Sequence, residues 1–460
     1  MITSYMKNRN ENFFFPTGQY LEDKGFVAFA FLNVVWASIW LEAWKRKSAA
    51  LAFRWGTLDS HQEVFADPRP QFKGELQICS VTGRLLPHYP SWKRNLTRYL
   101  VTLPLLFLSL VVVFYVMIFV LRFQDSCEEF LVSHNLPTIL KKAPKMIMAI
   151  PIGLFNKWYT KLAYWLNDKE NYRTEEAYQN HLIVKLLLLR FVNSFLSLFY
   201  IAFYIQDLTR LREQLAALLL MKQLTGNFKE SLVPYLKKRL QQAKLSHDLF
   251  GALKKDKSPK DGQESYDSDD SDDEITDSQA GQDLPDGDRR ISQVEVECKM
   301  GKYDGTFKDY LEMFIQFGYV TLFSPAFPLA AAFAVVSNFI EIRSDAFKMC
   351  YVLQRPFGER AQSIGVWQDA MELMGVLSII VNCAMIGMSG HIQHIYPNIS
   401  IIEVILLMVL LEHILIALKY GISYAIPDVP EWIENKMAKI EFQRREALKT
   451  LEKNFSKKKD

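Results

Sequence analysis

SNFIEIRSDAFKM, residues 337–349, decides how this chain is read, because it follows SPAFPLAAAFAVV, residues 324–336, a run apolar enough to sit in lipid. Glu341 and Asp345 stand four apart, so a helix through the segment sets both carboxylates on one face and turns Arg343 elsewhere. Ionisable side chains inside a membrane segment are rare, and they face a protein interior or a water-filled path. The meaning of these acids depends on whether their helix crosses a membrane.

The 460 residues carry a net charge of +3, and a mean hydropathy of −0.01 conceals how unevenly the apolar residues are spread. TLPLLFLSLVVVFYVMIFVL (102–121) has no charge and is long enough to cross a hydrocarbon core of roughly 30 Å at about 1.5 Å per residue. Further apolar segments lie at 26–41, 146–166, 182–205, 211–236, 310–324, 325–342, 366–388 and 401–422, nine in all. Several are interrupted by polar residues, as in helices that line a protein interior or a hydrated path. The fold expected is an all-α polytopic membrane protein of about nine transmembrane helices.

Lys and Arg in short connections set the orientation. WKRKSAALAFRW (44–55), YLKKRLQQAK (235–244) and the tail KNFSKKKD fall on one side if the segments alternate, which makes that side cytosolic. Residues 1–25, 123–145, 206–210 and 389–400 then lie opposite, so Asn398 is an accessible glycosylation acceptor whereas Asn95 and Asn454 are not. The domain reading follows: a non-cytosolic start at 1–25, membrane helices over 26–236 with a cytosolic loop at 45–97, an acidic loop at 237–306, membrane helices again at 307–425, and a cytosolic helix with a basic tail at 426–460. The loop's densest part, 254–288, is too acidic and too poor in apolar residues to fold. It is not an EF-hand, because Asp272 stands where the required glycine belongs and Ser278 stands at position twelve. Ser268, Ser271 and Ser292 are plausible phosphorylation sites. Cysteines at 79, 127, 298, 350 and 383 have neither disulfide nor zinc spacing.

More acids join Glu341 and Asp345. In KDYLEMFIQFGY (308–319), Asp309 and Glu312 share a face, and GNFKES (226–231) adds Asn227 and Glu230. One reading pairs each acid with a buried base such as Arg190 or Lys185. Five carboxylates brought together at a few ångströms would repel by several kcal/mol even at an effective dielectric of about 20, and a hard cation resolves that conflict. Calcium takes six to eight oxygens at flexible geometry, whereas nothing here offers the soft ligands of a transition metal. Arg190, Asn193, Ser194 and Ser197, with Lys185 earlier, form a polar stripe on an otherwise apolar helix, and Lys157 and Lys161 on the preceding segment extend it. Interhelical hydrogen bonding explains Asn193 and the serines, but an arginine in mid-membrane points to a groove taking lipid headgroups or anions. No nucleophile, phosphate loop or base arrangement indicates an enzyme, and no nucleic-acid partner is expected.

The stretch from Asp309 to Met349, with RPFGERAQSIGVWQ (355–368), AIPDVP (425–430), WLEAWKRKSAALAFRWGTLD (40–59) and AYQNHL (177–182), resembles the anoctamins, calcium-activated chloride channels and phospholipid scramblases. The resemblance runs from about residue 20 to about 450 and is nearest the intracellular branch that includes anoctamin ten and anoctamin eight. It implies a two-ion calcium site at Glu230, Asp309, Glu312, Glu341 and Asp345, with Asn227 as a further donor because Gly226 stands where the family places Asn or Gln. It implies a second, weaker calcium site at Glu42 and Asp428, a homodimer through 401–422, and residence in the endoplasmic reticulum or another intracellular membrane, with the plasma membrane as the alternative. Calcium-regulated scrambling or ion conduction is the expected activity; a channel without scrambling, or a tether that transports nothing, is the alternative. The family's N-terminal cytosolic domain and first membrane helix have no counterpart before residue 20, so an N-terminally shortened bundle is expected.

Overall fold

A computed structural model describes residues 16–58, 67–79, 83–133, 143–227, 293–298, 300–303, 305–358, 360–396 and 398–456, with scattered positions in 233–240; within 16–23, 143–153 and 221–227 it describes backbone alone. Two compact units emerge, Met1–Leu219 with Thr306–Ala332 and Glu359–Asp460, and Leu220–Gly305 with Phe333–Gly358.

The first unit is a helical bundle. α1 (Pro16–Trp55) is followed by a short hairpin, β1 (Glu75–Ile78) antiparallel to β2 (Leu85–His88), inside the stretch expected as plain loop. α2 (Ser91–Thr97) passes through a π turn at Arg98–Thr102 into α3 (Leu103–Ser133), which carries the charge-free run. α4 (Ala143–Glu170) and α5 (Glu175–Phe199) complete a three-helix group, and a π turn (Tyr200–Ile205) leads on to α6 (Leu208–Asn227). The starts of α5 and α6 follow local chemistry. The Thr174 hydroxyl accepts from the Ala177 amide at 3.3 Å, and Asp207 Oδ1 accepts from the Thr209 and Arg210 amides at 2.9 and 3.0 Å. α5 therefore starts seven residues before the apolar run at 182.

α8 (Phe307–Leu322), α10 (Val366–Met388), α11 (His391–Ile395), α12 (Ile401–Ala425) and α13 (Glu431–Ser456) finish this unit, after the short α7 (Gln293–Cys298) of the other. A capping box fixes the start of α12, with Ser400 and Glu403 exchanging bonds at 3.3 and 2.8 Å. Leu106, Tyr159, Leu166, Leu182 and Leu189 knit α3, α4 and α5 together, while Ala30, Val34, Ile379, Val404 and Leu415 knit α1, α10 and α12. α8 packs against α10, α5 and α1. A β-carbon placed on Gly318 would lie 2.3 Å from the Phe195 ring, so glycine is what lets α8 reach α5. Polar ties replace hydrophobic driving force in such a setting: Asn382 Nδ2 donates to the Thr321 carbonyl at 2.8 Å, a bond worth about 0.6 kcal/mol in lipid.

Five described helices are long and apolar enough to cross a membrane: Lys24–Trp55, Ser91–Val120, Glu175–Ile205, Val366–Met388 and Ile401–Ala425. The other four apolar segments also fall on helix, wholly or in part, at α4, α6, α8 and α9 (Ala330–Phe347). The 325–342 segment becomes helical only at Ala330, because Pro325 and Pro328 interrupt it, and it then runs past Asp345. Outward apolar faces suit lipid: Ile402, Leu406 and Leu410 on α12 are 71, 64 and 58% exposed.

The second unit contains most of α9, the π turn Lys348–Val352 and α7. Gln354 Nε2 donates to the carbonyls of Cys298 and Met300 at 3.1 and 3.0 Å, and the rings of Tyr235 and Phe347 meet at 5.3 Å.

Candidate functional site

Asp309 and Glu312 stand in the opening turns of α8, half-buried, where negative charge also complements the helix dipole. Glu341 and Asp345 are half-buried on α9 while Arg343 between them is exposed. Asp345 Oδ1 is paired with Lys348 Nζ at 2.8 Å, three residues on, and Lys348 is itself buried. Glu230 lies outside the described residues, and of Asn227 only the helical backbone is described. Within each unit, among the described residues, no three His, Cys, Asp or Glu side chains gather as metal ligands do. The chemistry of the four described acids, oxygen donors held half-buried, suits a hard cation such as calcium. The sequence also held the Lys348 contact in plain view, as an i, i+3 neighbour.

The polar stripe on α5 divides. Asn193 Nδ2 donates to Asn156 Oδ1 on α4 at 2.5 Å, an interhelical tie. Ser194 and Ser197 are half-buried, and Lys157 and Lys161 are exposed on α4. Arg190 is half-buried and has no hydrogen-bonding or ionic partner among the described residues.

Lys185 goes the other way. It is 5% exposed, and its ammonium donates to Asn167 Oδ1 at 2.7 Å and meets Glu170 Oε2 at 3.0 Å. The Tyr172 hydroxyl donates to the same Glu170 oxygen and accepts from Arg98 at 2.7 Å. Arg98 also touches the ring of His181, which stacks on Tyr172 at 4.4 Å between centroids. Burial pushes the Glu170 carboxyl upward, but the Tyr172 hydroxyl and the Lys185 charge outweigh it and hold it below its ordinary value; burial, with that same carboxylate, raises the Tyr172 phenol. Lys185 is thus a member of a network binding α4, α5 and the π turn at Arg98–Thr102. Its partners lie fifteen and eighteen residues away in sequence, beyond any helical spacing.

Glu42 on α1 is 2% exposed, and Lys45 Nζ lies 3.3 Å from its Oε2. The same ammonium meets Glu372 of α10 at 2.9 Å and Asp428, after α12, at 4.0 Å. The position that the resemblance gives to a second calcium therefore holds a lysine ammonium. Neither Lys45 nor Glu372 is signalled as a partner by the sequence beyond the i, i+3 spacing of Glu42 and Lys45.

A family model described as "Anoctamin: Calcium-activated chloride channel" matches residues 3–440. Anoctamin-10 of Mus musculus is 43% identical over 427 residues, covering 92% of this chain and 60% of that relative. Anoctamin-8 of Mus musculus is 34% identical over 618 aligned positions, covering 96% and 58%. Anoctamin-1 of Homo sapiens is 27% identical over 431 positions, covering 79% and 41%. The chain spans about three fifths of the length of the first two relatives. With a helical membrane architecture and a family match over nearly its whole length, the chain belongs to the anoctamin family.

Proposed function

We propose that the chain is a calcium-regulated membrane transport protein that moves phospholipid headgroups, ions or both along the polar face of α5. Arg190 carries this reading. A guanidinium in a membrane helix costs at least about 2.5–3.5 kcal/mol on insertion scales, and no described side chain offsets that cost. Water and phosphate or halide anions are the partners that remain, and Arg is built to grip phosphate through a bidentate fork. The exposed Lys157 and Lys161 on α4 extend the same positive face.

The regulatory ligand set assigned here is Glu230, Asp309, Glu312, Glu341 and Asp345, with Asn227 as a further oxygen. Calcium, when bound, would supply two positive charges to this set of carboxylates, the hard oxygen donors it takes. Asp309 and Glu312 present their oxygens from one face of α8, and Glu341 does so from α9. Asp345 already leans on Lys348, so it binds a cation only by loosening that pair. A ligand shifts such an equilibrium by no more than its differential affinity for the two arrangements. The assembly is assigned as a homodimer through α12, whose apolar outer face offers the surface, and the membrane as that of the endoplasmic reticulum, following the resemblance to the intracellular branch.

The test is purified protein in liposomes, with labelled lipid and halide flux followed together after calcium addition. Arg190→Ala should cut calcium-dependent flux at least about tenfold, roughly 1.4 kcal/mol on the barrier, and Arg190→Lys should retain part of it. Full flux in Arg190→Ala removes the groove. Halide movement without lipid movement selects the channel reading, and neither movement selects the tether.

A further inference from the structure

Three carboxylates from separate parts of the chain converge on one atom, Nζ of Lys45. Glu42 belongs to α1, Glu372 to α10, and Asp428 to the turn between α12 and α13; their oxygens stand 3.3, 2.9 and 4.0 Å from it. The place is tightly built. A β-carbon on Gly375 would come within 3.3 Å of Leu41 on α1 and 3.5 Å of Lys419 on α12, so three helices meet beside it. Gln368 Nε2 donates to Glu372 at 3.1 Å, and the buried Lys419 adds a second positive charge toward Glu372. Glu42 Oε2 is buried and, although Lys45 is near, makes no hydrogen bond of acceptable geometry.

Carboxylates are the donor chemistry that a hard divalent cation takes, although these three are not gathered as metal ligands here, and by resemblance two of them belong to one. They do not fit one here while the ammonium stays. We propose that Lys45 is a tethered counter-ion that takes the place of a second calcium and excludes divalent cations from Glu42, Glu372 and Asp428. Its tether gives it the advantage. Lys45 sits one helical turn from Glu42, so its charge is always present at the carboxylates, whereas calcium must arrive from solution and shed water. The joint between α1, α10 and the end of α12 is consequently closed at every calcium concentration. Without Lys45 the counter-charge left among the described residues is Lys419, beside Glu372, and three carboxylates with one ammonium leave a net charge that one divalent ion matches.

The experiment is direct calcium binding by titration calorimetry on the full chain in detergent, in a Glu341→Gln/Asp345→Asn background that disables the principal ligand set. That background should show no calcium binding sensitive to Glu42→Gln. Adding Lys45→Met should create one saturable site per chain that Glu42→Gln abolishes, while Lys45→Arg should create none. Calcium should also raise the melting temperature of the Lys45→Met protein and leave that of the background unmoved. The proposal is overturned if the background already binds calcium through Glu42, or if Lys45→Met folds and gains no site. If Lys45→Met and Lys45→Gln fold only with calcium present, the proposal stands; if calcium rescues neither, it falls.

Discussion

Two lysines in this molecule, Lys185 and Lys45, both meet a glutamate that solvent scarcely reaches, and the difference between the two joints separates a matched ion pair from a tethered counter-ion. Around Lys185 one ammonium answers one carboxylate. Asn167 accepts from the ammonium and Tyr172 donates to the same Glu170 oxygen, while Glu170 Oε1 is buried without a hydrogen bond, and the two side chains are 7 and 0% exposed. Around Lys45 one ammonium answers three carboxylates, and Asp428 is 70% exposed. The first arrangement matches charge one for one behind side chains shut from solvent, so removing its cation strands a buried carboxylate. The second carries surplus negative charge with an opening to solvent at Asp428, so it is the tether of Lys45, and not burial, that keeps a cation from solution out.

The largest effect expected from breaking this contrast is at Lys185. Lys185→Met leaves Glu170 buried without its ion and should cost about 3–5 kcal/mol, read as a fall in melting temperature in detergent; the double variant with Glu170→Gln should recover much of it. A single variant that melts like the parent would mean that water already reaches Glu170.

The next effect is in acid. Because the folded-state pKa of Glu170 lies below its ordinary value of 4.5, the pair's stabilisation is complete above that value and is lost as pH falls through the lowered folded one. A melting-temperature profile of the parent should therefore drop on the acid side, and Glu170→Gln should flatten that drop. The smallest effect is at the open joint. Asp428→Asn removes a well-solvated, 4.0 Å contact and should change stability by about 0.2–1 kcal/mol, a shift that moderate salt should reproduce in the parent. A loss as large as that at Lys185 would show the Lys45 joint to be as sealed as the other.

Much of the scaffold was legible because apolar length is a local signal: the charge-free run became α3, and the acidic stretch over Asp309 and Glu312 became the start of α8. What escaped was set by contacts distant in sequence. The hairpin at 75–88 is made of two four-residue strands whose residues are all exposed or half-buried, so no alternation of burial announces it. Lys185 looked like part of a polar stripe because helical spacing placed it there, whereas its role is fixed by Asn167 and Glu170 on another helix. Lys45 was one basic residue among several in WKRKSAALAFRW, and only the approach of α10 and the Asp428 turn distinguishes it from its neighbours.

The most direct measurement is calcium-triggered lipid and halide flux in liposomes, comparing the parent with Glu312→Gln/Glu341→Gln. Those substitutions leave the Asp345–Lys348 pair, the Lys185 network and the Lys45 joint in place, so folding should persist. The expected result is a double variant that elutes and melts like the parent yet transports only at calcium concentrations raised by at least about tenfold, some 1.4 kcal/mol of lost differential binding. Transport with an unchanged calcium dependence would contradict the assignment of these acids as the regulatory ligands.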